Sequence, residues 1–306
     1  MAAKAIKDLE IKSGITAKEL VKQLEDGCGF TGEKLGRAAA IIRDMLADKA
    51  CYKFLSFPSA LMAAGTRGVL KQLVKERMCD CIITTAGTIT MDMIRPTAGF
   101  TAGSFEMDDT ELHRKKVYRL GNILIKEDSY GPLLEKKLFP ILEAIYKDGK
   151  RELSTAELCK EIGLRSGEDS LLYWAAKNDI PVIVPGITDG AVGTHLLMFM
   201  ERHRDFKINV FKDEKFLSDV MFDHKKTGAL MIGGGISKHH VIWWNQFKDG
   251  LDYAVYITTA QEYDGSLSGA RMKEAISWGK LNEKAKHVTV DGDATVLLPL
   301  IIAALL

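Results

Sequence analysis

The sequence predicts an α/β fold: a Rossmann-like parallel sheet with helices on both faces. Three observations predict it. Six short apolar runs recur along the 306 residues, separated by segments of helical periodicity. Each run ends in a cluster of small and polar residues. Hydrophobic residues make up 46% of the chain, enough for a sizeable buried core. Alternation of this kind builds βαβ units, whose crossover helices cover a parallel sheet.

The elements follow in order. Residues 16–26 read as an amphipathic helix, with Thr16 as N-cap and Glu19 at capping-box spacing. Gly27-Cys-Gly29 closes it. A second helix runs from Thr31, with Glu33 in its first turn and an apolar stripe through Leu35, Ala39, Ile42 and Leu46. These helices form an N-terminal extension, about residues 1–50, to a single domain spanning 1–306. Tyr52–Phe57 is the first strand, and the small residues after it open a helix through Val69, Leu70, Leu73 and Val74. Further strands are read at Cys79–Ile83, Pro181–Val184, Ala229–Ile232, Tyr253–Ile257 and His287–Val290. The stretch 93–153 reads as mostly helical and charged, with Pro140 able to kink its main helix. Glu201–Lys215 reads as surface. The apolar run Thr295–Leu306 is too short to span a bilayer and contains Pro299, so it is expected as a buried terminal helix.

Composition narrows the function classes. The formal net charge is +1, which gives no electrostatic reason to expect nucleic acid or an anionic membrane as partner. The five cysteines show no zinc-finger spacing with one another or with histidine, so no metal is expected and reduced thiols in the cytoplasm are. The N-terminus is polar from the start and lacks a secretory apolar region.

The loops after the strands carry the functional signal. In open α/β sheets, ligands bind beyond the carboxyl ends of strands, where glycines admit a pyrophosphate and helix N-termini offer free N–H groups. Asp189, Asp264 and Asp293 lie in such loops and can accept ribose hydroxyls. No loop matches Gly-x-Gly-x-x-Gly, so the expectation of a nucleotide cofactor rests on six such loops together. Downstream, Glu274-Ala-Ile-Ser-Trp278-Gly-Lys280 follows a polar, glycine-rich loop at residues 262–271. A lysine beside tryptophan and glycine can be partly desolvated, which favours the neutral amine, a nucleophile toward carbonyl and imine carbons. Alone, Lys280 would read as a surface helix lysine, His239-His240 as a helix-start pair, and Trp243-Trp244 as packing or a subunit interface.

Taken together, these stretches resemble a known family. Phe57–Gly68, Thr84-Thr-Ala-Gly87, Arg119-Leu-Gly-Asn122, Tyr173-Trp-Ala-Ala-Lys-Asn178 and Thr188-Asp-Gly190 resemble blocks of deoxyhypusine synthase. So do Gly233-Gly-Gly-Ile-Ser-Lys-His-His240, Asp252-Tyr-Ala-Val-Tyr256, Thr259-Ala-Gln-Glu262, Asp264-Gly-Ser266, Ser268-Gly-Ala-Arg271 and Glu274–Lys280. The order is collinear over nearly the whole chain. The glycine-triplet and Ser-Trp-Gly-Lys blocks are the most specific.

The resemblance implies an NAD-dependent enzyme that transfers an aminobutyl group from spermidine to a lysine of the hypusine-bearing translation factor. It implies that Lys280 captures the butyl-imine and diaminopropane leaves. Trp278 would wall the methylene chain, Glu274 would hold an ammonium group, and His239 would shuttle a proton at the reacting carbon–nitrogen bond. NAD contacts would fall on Ser59, Ala60, Leu61, Met62 and Ala63, on Thr85, Ala86 and Gly87, and on Asp189, Gly234, Thr259, Ala260, Asp264, Asp293 and Ala294. The family assembles as a homotetramer with active sites at dimer interfaces.

This chain departs from the pattern in the amine pocket. Gly265 and Ser266 are kept there, but acidic positions of the family are Thr90, Met91, Thr194 and Leu267, and its asparagine is Trp243. Spermidine carries several ammonium groups, and an unpaired buried ammonium costs several kcal/mol. Two further readings follow: the same chemistry on a different amine, or an NAD-binding regulatory subunit of a competent paralogue. Retention of Lys280, Glu274, Trp278 and His239 argues against the regulatory subunit. Asp92, Glu106, Asp108 and Asp109 are the carboxylates nearest in sequence that could replace the lost anchors.

Overall fold

The computed structural model describes residues 5–306; the first four residues of the polar N-terminal stretch lie outside the described residues. In chain order the elements begin with α1 (Ala17–Gly27), α2 (Phe30–Ala47), β1 (Cys51–Phe57), α3 (Ala60–Ala63), α4 (Arg67–Lys75), β2 (Cys81–Thr84) and α5 (Ala86–Ile94). Then come β3 (Thr101–Ala102), α6 (Asp109–Arg114), β4 (Val117–Leu120), β5 (Ile123–Lys126), α7 (Gly131–Lys147), β6 (Glu152–Leu153), α8 (Thr155–Leu164) and α9 (Leu171–Lys177). The chain ends with β7 (Val182–Ile183), α10 (Ala191–Arg202), β8 (Lys207–Ile208), α11 (Phe211–Asp223), β9 (Lys226–Ile232), α12 (Gly235–Asn245), β10 (Leu251–Thr258), β11 (Leu281–Asp291) and α13 (Ala294–Ala303). It falls into two compact units: residues up to Phe57 with 78–80 and 217–306, and residues 58–77 with 81–216.

In the first unit, four strands pair in parallel in the order β11-β10-β9-β1. Their centres are apolar on both faces, as a covered parallel sheet requires. Helix α2 packs over β10 and β11, and α12 over β1 and β9. Gly228 is the point of closest approach: a Cβ there would stand 2.5 Å from the Met45 sulfur. Ser56 lies opposite Met231, Ile257 opposite Ile232, and Thr258 opposite Asp291. That register brings the carboxyl ends of all four strands to one edge, with the loops at 233–235, 259–261 and 292–293 just beyond it. The capping box at Thr16 and Glu19 is present, with Glu19 N–H donating to Thr16 Oγ1 at 3.2 Å.

In the second unit, β2 and β7 pair in parallel through Ile82–Val182 and Ile83–Ile183. All six strands read from the sequence therefore exist and pair in parallel, and the fold class is parallel α/β. One expectation fails. The stretch 93–153 is not mostly helical before α7: it contains an antiparallel sheet in the order β3-β5-β4. A two-residue turn, Gly121-Asn122, joins β4 to β5, with Gly121 at φ +62° in the left-handed region that glycine favours. Helix α7 runs through Pro140, which is exposed, so the carbonyl it leaves unpaired can be met by water. Helix α13 likewise contains Pro299 and buries Leu297, Leu298, Ile301 and Ile302. No helix among the described residues is long and apolar enough to cross a membrane.

Candidate functional site

Helix α12 follows β9 through Gly233-Gly234-Gly235. Gly233 and Gly235 take φ +67° and +75°, and a Cβ on Gly234 would sit 2.4 Å from Ser268 Oγ. A side chain at any of the three would be strained or clash, so this turn needs glycine. The helix opens with no side-chain cap, and the Ser237 hydroxyl just inside it is buried without a hydrogen-bond partner. One turn on, Lys238 points inward and His239 outward. Trp243 follows His239 at i+4, with the two rings stacked at 5.9 Å and 26°.

The loop after β10 is bolted to the sheet. Tyr256 and Thr258 hydroxyls both donate to the Ser268 carbonyl, at 2.5 and 3.1 Å. Arg271 pairs with Glu262 at 2.7 Å and with Asp291, which also takes Lys34 at 2.5 Å. Burial alone would raise the Asp291 carboxyl, but these two cations hold it below the usual carboxylate range. A Cβ on Gly269 would stand 1.7 Å from the Gln261 carbonyl oxygen. Asp264 accepts from the Ser266 amide and hydroxyl at 3.0 and 2.7 Å, so its carboxylate is engaged within the loop.

A 3-10 helix, Met272–Trp278, leads from this loop to the lysine. It starts where the Met272 amide donates to Thr289 Oγ1 at 3.0 Å and stops at Gly279, φ +65°. The Lys280 amide donates to the Ala275 carbonyl at 2.9 Å, and the Leu251 amide donates to the Lys280 carbonyl at 3.2 Å. The backbone of Lys280 is thus held from both sides. Leu281 lies opposite Leu251, so Lys280 stands at the amino end of the strands, not beyond their carboxyl ends.

Between α12 and this segment lies a cavity of about 630 Å³. It reaches from Gly235 and Ser266 at the carboxyl-end side to Lys280, and His239, Trp243, Leu267, Glu274 and Trp278 also line it. Lys280 Nζ lies 5.1 Å from the Trp278 ring centroid and 5.6 Å from that of Trp243, within cation–π range of both. Trp278 and Trp243 remain 66% and 42% exposed. Glu274 is the one carboxylate lining the cavity, against the cations Lys238, Arg271 and Lys280. Burial, with the fields of Lys280 and Lys238 added, holds the His239 imidazole below the ordinary histidine value. Lys238 was quoted in the sequence only as part of a motif. Its signal there is a lysine one turn inside a glycine-opened helix, but its burial is not visible without packing.

The remaining expected residues distribute as follows. Gly234, Thr259, Ala260, Gly265, Asp264, Asp293 and Ala294 lie in the first unit outside the cavity lining. Asp293 caps α13 by accepting from the Thr295 amide at 2.9 Å. Ser59, Ala60, Leu61, Met62, Ala63, Thr85, Ala86, Gly87, Met91, Asp189 and Thr194 lie in the second unit. There a Cβ on Gly87 would stand 2.5 Å from Ser59 Oγ, and α5 and α10 open at Thr85 and Gly190 with no side-chain cap. Thr194 is exposed on the first turn of α10. Met91 and Thr90 are buried in α5, and the Thr90 hydroxyl has no partner.

Three of the four carboxylates nearest in sequence to the changed positions are otherwise employed. Asp92 is buried and accepts from Arg67 Nη2 at 3.1 Å, Ser170 Oγ at 2.5 Å and the Leu171 and Leu172 amides at 2.8 and 3.0 Å. It closes the N-terminus of α9 and neutralises Arg67. Asp108 caps α6, and Asp109 pairs with Arg119 at 2.6 Å. Glu106 is exposed with its backbone amide on Ser104 Oγ.

The class of protein is thus a parallel α/β fold with glycine-opened, uncapped helices and a cavity that holds a lysine. The comparisons narrow it. The family model of deoxyhypusine synthase matches residues 19–305. A "probable deoxyhypusine synthase" of Thermoplasma volcanium is 52% identical over 100% of this chain and 98% of that relative. One of the same description from Picrophilus torridus is 52% identical, covering 98% and 96%. A crystal structure from Entamoeba histolytica, provisionally named deoxyhypusine synthase, superimposes with a TM-score of 0.64 at 24% identity over 98% of this chain and 96% of that one, a likeness of fold alone. The chain belongs to the deoxyhypusine synthase family.

Proposed function

We propose that this chain is an NAD-dependent aminobutyl transferase that moves the four-carbon fragment of spermidine to a lysine of the hypusine-bearing translation factor through an imine on Lys280. The observation that carries the reading is the cavity in which the Lys280 amine stands between Trp243 and Trp278, with His239 and Glu274 on the same walls. The Lys280 amine adds to the imine carbon, and diaminopropane leaves as the carbon–nitrogen bond to it breaks. The acceptor lysine later adds to the same carbon and Lys280 leaves. Each addition requires the attacking nitrogen to lose a proton, which a neutral His239 ring can take. Glu274 holds a substrate ammonium by a charge-assisted hydrogen bond. The indoles line the path of the methylene chain.

The residues present fit NAD. The α12 N-terminus has free N–H groups beside a buried, unpartnered Ser237 hydroxyl. Gly234, Thr259, Ala260, Asp293 and Ala294 are the residues of the first unit that would hold it. Bound NAD supplies the two-electron oxidation of the amine and its later reversal. The reading includes a cytoplasmic homotetramer, and the exposed Trp243 and Trp278 at the cavity mouth are apolar surface that a second copy would cover.

A second reading keeps the chemistry and changes the amine. One lining carboxylate against three cations, with Leu267 and Trp243 on the walls, is a poor match to a triamine. Asp92 is committed to Arg67 and α9 and does not fill the gap. On this reading spermidine turnover is weak and NAD binding intact. The test is to titrate NAD calorimetrically, then follow amine-dependent cofactor reduction with spermidine and simpler amines. A spermidine KM in the range of ordinary family members supports the first reading, weak spermidine and strong use of another amine the second. Failure to bind NAD overturns both.

A further inference from the structure

We propose that Lys238 is a positioning residue of the candidate site: its buried ammonium is a fixed charge that adds to burial and to Lys280 in keeping the His239 ring neutral and ready to accept a proton. Lys238 is 6% exposed and lines the same cavity as His239 and Lys280. Its Nζ donates to the Ala270 carbonyl at 3.2 Å and lies 3.9 Å from the Tyr256 ring centroid. No carboxylate pairs with it among the described residues. A lysine this buried ordinarily has a carboxylate against it, because an uncompensated charge in the interior is costly. Here a carbonyl dipole and a ring face take that place.

The charge is present where it matters. Burial, opposed by the field of Glu274, pushes the Lys238 amine down to about 8. It is therefore mostly protonated in the range in which a histidine titrates. The other charged groups around the cavity are Arg271, engaged by Glu262 and Asp291, together with Glu274 on the 3-10 helix and Lys280 before β11. Tyr256 faces Lys238 from β10. His239, next along α12, feels both lysines, and both disfavour its protonation. Glu274 is exposed and lies toward solvent. This arrangement extends the transferase reading by assigning what sets the protonation state of its proton acceptor.

The test compares the full-length protein with K238M, which keeps the length of the side chain and removes the charge. NMR titration of the His239 ring, without amine or cofactor, should give a value below the ordinary histidine range in the wild type and a higher one in K238M. Borohydride trapping of an amine fragment on Lys280, followed against pH, should show the acid limb moved to higher pH. A histidine of ordinary pKa is only about one-quarter neutral at pH 6, and burial and Lys280 still act in K238M, so K238M should trap more slowly than wild type there by less than about fourfold and match it near pH 8.5. K238R restores the wild-type limb. A loss equal at every pH, or a His239 titration unmoved by K238M, overturns the proposal. K238Q, which keeps a donor for the Ala270 carbonyl, serves where K238M does not fold. If neither neutral variant folds, a wild-type His239 titrating at or above the ordinary value overturns it. The NMR arm needs no turnover, so it stands or falls separately from the transferase reading.

Discussion

Leu267→Asp is the substitution through which the amine preference can be read most directly. Leu267 is 63% exposed, lines the cavity, and holds φ +60°, a left-handed conformation that leucine adopts rarely and aspartate more readily. Its amide donates to the Asp264 carbonyl at 3.0 Å and its carbonyl accepts from the Ala270 amide at 3.2 Å, bonds that do not depend on the side chain. The exchange should therefore leave the loop in place. It adds a second carboxylate to a cavity whose lining has one. A hydrogen bond between charged groups contributes about 1.5–3 kcal/mol when shielded. The exposure of the site places the gain below that range, at about 1 kcal/mol or less, roughly up to fivefold in spermidine KM. Steady-state transfer of the alkyl fragment at varied spermidine, wild type against L267D, measures it. A KM unchanged or raised in L267D, with the loop intact by NMR, would refute the claim that missing carboxylates limit spermidine use.

Three further outcomes follow from the structure. Asp92→Ala removes four hydrogen bonds and leaves Arg67 only the more exposed Asp169 carboxylate, at 3.5 Å; the cost should be about 3 kcal/mol by urea denaturation, and a loss under about 1 kcal/mol would contradict the role assigned to Asp92. Gly269→Ala places a methyl against the Gln261 carbonyl and should abolish imine trapping on Lys280 with a smaller effect on melting; normal trapping would mean the loop is not fixed as described. The Asp291 carboxyl is held below its unfolded value by Lys34 and Arg271, so its stabilisation is present above the ordinary carboxylate pKa and lost as pH falls through the folded value. Melting temperature should accordingly fall less between pH 5 and pH 3 in D291N than in wild type.

Much of the fold was legible because its signals are local. The capping box at Thr16 and Glu19 and the apolar strand centres need only neighbours a few residues apart. The hairpin β4–β5 was hidden because both its strands are four residues long and carry charge, and every second residue of β4 is exposed, although Gly121-Asn122 marks the turn. Strand β11 begins at Leu281, six residues before its apolar part, because it is an edge strand and its first half faces solvent. In the site, Lys280, His239, Glu274 and Trp278 were visible as residue types and family blocks. The position of Lys280 at the amino end of the strands was not, since it depends on the register of Leu281 with Leu251. The roles of Asp92 and Lys238 were equally hidden: Asp92 meets Ser170 across 78 residues and Lys238 meets Ala270 across 32, pairings that no local pattern encodes.

Borohydride reduction of the protein with NAD and a panel of amines, then digestion and mass spectrometry, asks most directly whether Lys280 captures the amine fragment. The account predicts one modified lysine, Lys280, carrying the alkyl fragment of whichever amine is accepted, and none in K280R. A protein that binds NAD yet gives no adduct with any amine, or carries it on another lysine, contradicts the account.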